Sequence, residues 1–156
     1  EKYLTTEEEI YYGSAYSSIT FEDGSEIEQK VSISLGEDND LIMNISDTEK
    51  NIERDVTVTG IEEKIVKGEI NVDYDENNAT HPDNIYELTE KGNIYAFNIP
   101  EKDDTVKAKK LDHIKEAIDF IALVNYPTKI TKEAETGFKT SYYALNLDGK
   151  LSALEK

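Results

Sequence analysis

Residues 105–124 read TVKAKKLDHIKEAIDFIALV. Their reading decides between an all-strand chain and a sheet that carries a helix. Leu111, Ile114, Ile118 and Ile121 recur at intervals of three and four, with Ala117 and Ala122 beside them. That is the spacing of one helix face. Asp104 or Asp112 can cap the start, and Pro127 is a stop. Lys107, Lys109, Lys110 and Lys115 form the basic cluster of this stretch and are read as the solvated face of the helix. The spacing predicts one long helix over about 105–124, packed on a sheet through Leu111, Ile114, Ile118 and Ile121.

Before Pro100 the period is two. Ile27, Val31, Ile33 and Leu35 hold odd positions, and Glu26, Glu28, Lys30, Ser32 and Ser34 lie between them. This is a half-buried strand whose even positions face water. Ala15, Ile19 and Phe21 alternate in the same way. A three-residue loop, Glu22-Asp23-Gly24, sets Ile19 opposite Ile27 and leaves Gly24 in a left-handed position. A two-residue turn would mix the two faces. A five-residue loop, GEDND, pairs Ile33 with Met43 and Val31 with Ile45. Turns at Lys67-Gly68 and Lys91-Gly92 would pair Ile65 with Ile70, Leu88 with Tyr95, and Tyr86 with Phe97. Gly60 marks a bulge where the apolar face switches from Val56 and Val58 to Ile61 and Ile65. After Pro127 the strand pattern returns, with turns at Thr136-Gly137 and Asp148-Gly149. At the N-terminus, Thr5 or Thr6 followed by Glu8 or Glu9 is a capping box, which predicts a short helix over Thr6 to Tyr12.

The expected fold is therefore mainly β, of the α+β class. A long antiparallel meander of eight or nine strands forms a curved sheet. One long helix and a short N-terminal helix complete a single domain over residues 1–156. This organisation resembles the curved-sheet lipoprotein domains of bacterial envelopes, in architecture and not in any motif.

Composition narrows the function. With 34 acidic and 17 basic side chains in 156 residues, the formal net charge is −17. Such a surface repels phosphate backbones and anionic lipid, so neither nucleic acid nor direct membrane insertion is expected. It favours a basic protein partner met by electrostatic steering. Cysteine is absent, which removes disulfides and thiolate metal sites. Arg54 is the sole arginine among many Lys, Ile, Asn, Glu and Tyr residues. That bias matches an AT-rich bacterial genome. Glu1 stands where a methionine would, so a signal segment or lipid anchor upstream of it is expected, and an extracytoplasmic location with it.

No stretch carries catalytic or cofactor chemistry. DYDENNATHPDN, residues 73–84, opens like a calcium loop, with Asp73, Asp75 and Asn77 alternating. Its sixth position is Asn78 in place of glycine and its twelfth is Asn84 in place of a bidentate acid, so a turn is the better reading. Asn78-Ala79-Thr80 matches a glycosylation sequon that a bacterial source would not use. His113 with Glu116 has helical spacing for two zinc ligands but lacks a third. GSAYS at 13–17 is not a nucleophile elbow. No metal, cofactor or enzymatic activity is expected.

Ten tyrosines and no tryptophan suit either strands or an interface. The residues expected to meet a partner are Glu26 and Glu28, then Glu62, Asp73, Asp75, Tyr11 and Tyr12. The function expected is a non-enzymatic binding protein of the inhibitor or immunity-protein type. The alternative is an envelope carrier or sensor that holds a small apolar ligand between the sheet and the helix.

Overall fold

The structure, a computed structural model, describes residues 12–20, 22–36, 40–48, 50–74, 80–125 and 139–155. Every regular element among them is a strand. β1 (Ser14–Thr20), β2 (Glu26–Leu35), β3 (Leu41–Asp47) and β4 (Ile52–Thr59) form an antiparallel meander. β8 (Thr105–Lys107) adds to β4 in parallel and completes the first sheet. A second sheet has the order β5 (Ile65–Tyr74), β6 (Thr80–Thr89), β7 (Ile94–Phe97), β9 (Lys109–Lys110). The third is β10 (Ala117–Asn125), β11 (Lys139–Asn146) and β12 (Leu151–Ala153).

The second sheet is the middle layer. One of its faces puts Ile65, Ile70, Ile85, Tyr95 and Phe97 against Val31, Ile33, Leu41, Met43, Val56 and Val58 of the first sheet. The other puts Tyr86, Leu88 and Ile94 against Ala117, Phe120 and Ala144 of the third, with Ile114 and Leu154. A strand covered on both faces shows no alternation of burial. Accordingly Ile85, Tyr86, Glu87, Leu88 and Thr89 are all buried. Tyr142 ties the second interface by donating its hydroxyl to the Ile70 carbonyl at 3.2 Å. Lys67 does so by pairing with Asp119 at 2.9 Å.

In the first sheet the expected registers hold. Ile19 opposes Ile27, Val31 opposes Ile45 and Ile33 opposes Met43. Gly24 has φ +87° in the turn, where a side chain would be strained. Asp148-Gly149 also turns as read, closing Leu145 onto Leu151.

The long helix over 105–124 does not form, and the single curved meander is replaced by three sheets. Residues 105–107 and 109–110 are short edge strands, 111–116 turn, and 117–125 pair with β11. The helix-like spacing has a β origin. A bulge at Ile118 lies between the pairs Ala117–Asn146 and Asp119–Leu145. One extra residue in a period-two pattern separates inward side chains by three. Ala117 and Phe120 are thus both buried, whereas Ile118, expected in the core, is 52% exposed. Gly92 supports the entry to β10: its carbonyl accepts from Ala117 N at 3.0 Å, and a Cβ there would press on the Glu116 backbone.

Three further expectations change. No turn occurs at Lys67-Gly68, because β5 runs straight through it and Gly68 opposes Glu87. The β6–β7 turn is one residue longer than read, so Leu88 opposes Ile94 and Tyr86 opposes Ala96. Gly60, at φ +93°, ends β4 rather than bulging inside a ladder. The helix over Thr6 to Tyr12 and the Thr136-Gly137 turn lie outside the described residues, save Tyr12, which is irregular backbone.

Candidate functional site

Glycine ends β4, and residues 60–64 cross without regular structure to β5. This crossing hangs over one end of the interface between the first and second sheets. A trough of about 580 Å³ opens there, lined by Tyr12, Leu35, Leu41, Val58, Ile61 and Ile65, with Asp40, Glu62, Glu63 and Lys64 among the polar lining. The size lies within the ~300–1,000 Å³ of ligand clefts. A polar niche of about 480 Å³ shares Gly60, Glu62 and Glu63 with it and adds Lys91, Asn93, Tyr95 and Lys110.

Glu63 holds the crossing in place. Its carboxylate accepts from Tyr95 Oη at 2.5 Å, Asn93 Nδ2 at 2.7 Å and Thr89 Oγ1 at 3.1 Å. Burial pushes its pKa up, but these donors, helped by Lys91, outweigh burial and leave it below the usual glutamate value. Tyr95 moves the opposite way, to about 12, because the phenol donates to Glu63 and is then further disfavoured as a phenolate by burial and by the nearby acids. The pair is therefore carboxylate and phenol across the neutral range. Neither group is poised to exchange a proton near pH 7. What it provides is a fixed negative charge in the trough wall. Among the described residues Glu63 makes no ion pair.

A second carboxyl, near the backbone of Tyr12, has the opposite character. Glu87 is fully buried, and neither of its oxygens has a hydrogen-bond partner. Burial, then the charge of Glu69, pushes its pKa to about 10, so it is a neutral acid at pH 7. Gly68 faces it across the ladder, and the Tyr12 backbone passes over Gly68 so closely that a Cβ there would collide with the Tyr12 carbonyl and the Glu87 side chain. Burial, and then the charge that Glu87 would carry, raise the pKa of Tyr12. Tyr12 meanwhile lines the trough.

Of the residues singled out from sequence, Tyr12 and Glu62 come together in the trough. Glu26 and Glu28 lie elsewhere, on the even face of β2, opposite the buried Val31 and Ile33. Glu28 accepts from Tyr16 Oη at 3.0 Å. The cross-strand registers add Glu53 and Asp55 of β4 to that outer face, along with Lys30. Asp73 pairs with His81 in the β5–β6 ladder, away from both groups. Asp75 and Tyr11 lie outside the described residues. His113 sits in a turn, its Nε2 3.0 Å from the Ala153 carbonyl, so the helical spacing with Glu116 does not exist.

Sequence reasoning missed Asp40, Glu63 and Glu87. Glu63 stands beside Glu62 as one of many paired acids, and only its three donors distinguish it. Glu87 occupies the polar place of an alternating strand, and only the second covering layer buries it.

Comparison with known proteins finds no matching family model, no matching curated protein and no matching solved structure.

Proposed function

We propose that this chain is a non-enzymatic binding domain that engages a basic protein partner, in the manner of an inhibitor or immunity protein. The observation that carries the proposal is the grouping of acidic charge. The outer face of the first sheet presents Glu26, Glu28, Glu53 and Asp55 against Lys30, and the adjoining end of the sandwich adds Asp40 and Glu62. Grouped charge steers an oppositely charged partner and raises its association rate. The perturbed carboxyls support the same reading, since Glu63 is locked by its donors and Glu87 is sealed from solvent. The arginine-poor composition is that of an AT-rich bacterial genome, and an extracytoplasmic setting belongs to the same proposal. The alternative, an apolar ligand held beneath a helix, loses the helix that would have roofed its cavity.

The test begins with a partner captured on the immobilised chain, followed by association rates at low and high salt. Reversal of Glu26 and Glu28 to lysine should slow association more than it speeds dissociation, and added salt should have the same effect. Association indifferent to both salt and the reversal would remove the electrostatic reading.

A further inference from the structure

We infer that the outer edge of β10 is a self-association surface, at which two copies of this chain pair β10 with β10 antiparallel about Ala122 and join their third sheets into one. The inference is independent of the basic-partner reading. It concerns the layer across the middle sheet from Glu26 and Glu28. Backbone geometry identifies the groups at that edge. Tyr142 and Asn146 of β11 turn their backbone toward β12: the Tyr142 carbonyl accepts from Leu154 N at 3.0 Å, and Asn146 N donates to the Lys150 carbonyl at 2.9 Å. In an antiparallel ladder the residues that oppose them on the other side are the non-bonded ones. Ala122 opposes Tyr142, so its N–H and carbonyl point to the free edge. Phe120 and Val124, two residues to either side, share that direction. Phe120 agrees, since its N–H is taken by the Asp119 carboxylate at 2.8 Å. Among the described residues no strand lies beyond β10.

Long edges are normally guarded by charges, prolines or bulges. In β10 the guards stop early. The bulge at Ile118 and the Asp119 carboxylate, itself paired with Lys67 at 2.9 Å, both precede Phe120. From Phe120 to Asn125 the sequence has no charge and no proline. The other long edge strands differ: β1 is serine-rich, and β5 carries Lys67, Glu69 and Asp73. The sheet face beside the edge is apolar as well. Phe120, Tyr142 and Ala144 pack inward. Alternation and register therefore turn Ile121, Leu123, Tyr143, Leu145 and Leu151 outward. Leu123 and Leu151 are 51% and 52% exposed.

A second copy fits because β10 is its own complement about Ala122. An antiparallel dyad there sets Ile121 opposite Leu123, Phe120 opposite Val124 and Asp119 opposite Asn125. Apolar positions meet apolar ones, and like charges do not meet. The Val124 N–H of each copy reaches the Phe120 carbonyl of the other, and the two Ala122 residues bond to each other. Two chains at −17 repel, and this edge lets them meet where the one acidic side chain already has its lysine. A basic segment would find no unpaired charge along it.

The test is sedimentation velocity of the full chain from micromolar to submillimolar concentration, with amide hydrogen exchange at both ends of the range. A monomer–dimer equilibrium is expected, tightening as salt screens the repulsion between the chains. The Ala122 and Val124 amides should exchange freely in the monomer and become protected as the dimer fills. Leu123→Lys should weaken dimerisation about tenfold or more, because it acts twice across the dyad. Ala122→Pro should do the same, while its missing N–H takes no ladder bond from the monomer. Both variants should keep the parent's amide spectrum away from β10. A parent that stays monomeric throughout would overturn the inference. So would a dimer that both variants leave intact, one that added salt dissolves, or one whose Ala122 and Val124 amides stay unprotected. Protection that arises only when a captured basic partner is added would assign the edge to that partner and refute self-pairing.

Discussion

At the scale of single residues, Glu87 is the most informative side chain in the molecule. Its folded pKa of about 10 lies above its ordinary value of 4.5, so the folded chain holds a proton that the unfolded chain releases. Stability from this group is complete below pH 4.5 and is lost progressively as pH rises toward about 10. At pH 7 the loss is about 3 kcal/mol, from some two and a half pH units at about 1.4 kcal/mol each. Urea denaturation of the parent and of Glu87→Gln should agree near about pH 4 and diverge above it, with the variant the more stable. Curves that stay parallel would place the carboxyl in contact with water. Gly68 is the matching backbone position. Gly68→Ala should cost about 1–3 kcal/mol, as overpacking does, and should displace Tyr12 from the trough. A melting temperature equal to the parent's would show that the close approach does not persist in solution. Neither residue announces itself in the sequence. A glutamate between Tyr86 and Leu88 looks like the wet position of a half-buried strand, and Gly68 after Lys67 looks like a turn.

Among the elements, β10 and the 60–64 crossing carry the lessons. In β10 the bulge puts Ile118 outward and Phe120 inward. Ile118→Ala should therefore stay within about 0.5 kcal/mol of the parent, while Phe120→Ala should cost about 3–5 kcal/mol. The reverse order in thermal melts would restore a helix-like face. A helical spacing was legible because Ile114, Ala117 and Phe120 really are buried at intervals of three. It was misread because turns and bulges produce the same interval, and a single strand cannot show the partner that satisfies its backbone. The crossing depends on Glu63. Tyr95→Phe removes one charge-assisted bond and should cost about 1.5–3 kcal/mol at neutral pH. Because the Glu63 pKa is lowered in the fold, its stabilisation is present above the ordinary glutamate range and is lost as pH falls through the folded value. The Tyr95→Phe penalty should shrink under acid, and a pH-independent penalty would assign it to packing alone.

Over the whole molecule, charge and layering act together. A chain at −17 repels itself, and Lys67, which pairs with Glu69 and Asp119, offsets little of that charge. Calorimetry should show the melting temperature rising as salt screens that repulsion, and a fall would mean that attractive pairs outweigh it. What the sequence determined by itself was local. Period-two alternation and loop length specified the register of the β1–β2 and β2–β3 hairpins, because one slip would expose a whole apolar face. The net charge likewise follows from composition alone. Only the tertiary structure decided that the strands divide into three sheets, that the middle one is covered on both sides, and that residues 105–125 belong to sheet edges. Burial on a second face comes from chain segments distant in sequence, and alternation within one strand carries no record of them. The trough is of the same kind. Tyr12, Leu35, Asp40 and Glu62 are individually ordinary, and they become one surface only where the end of the first sheet meets the crossing into the second.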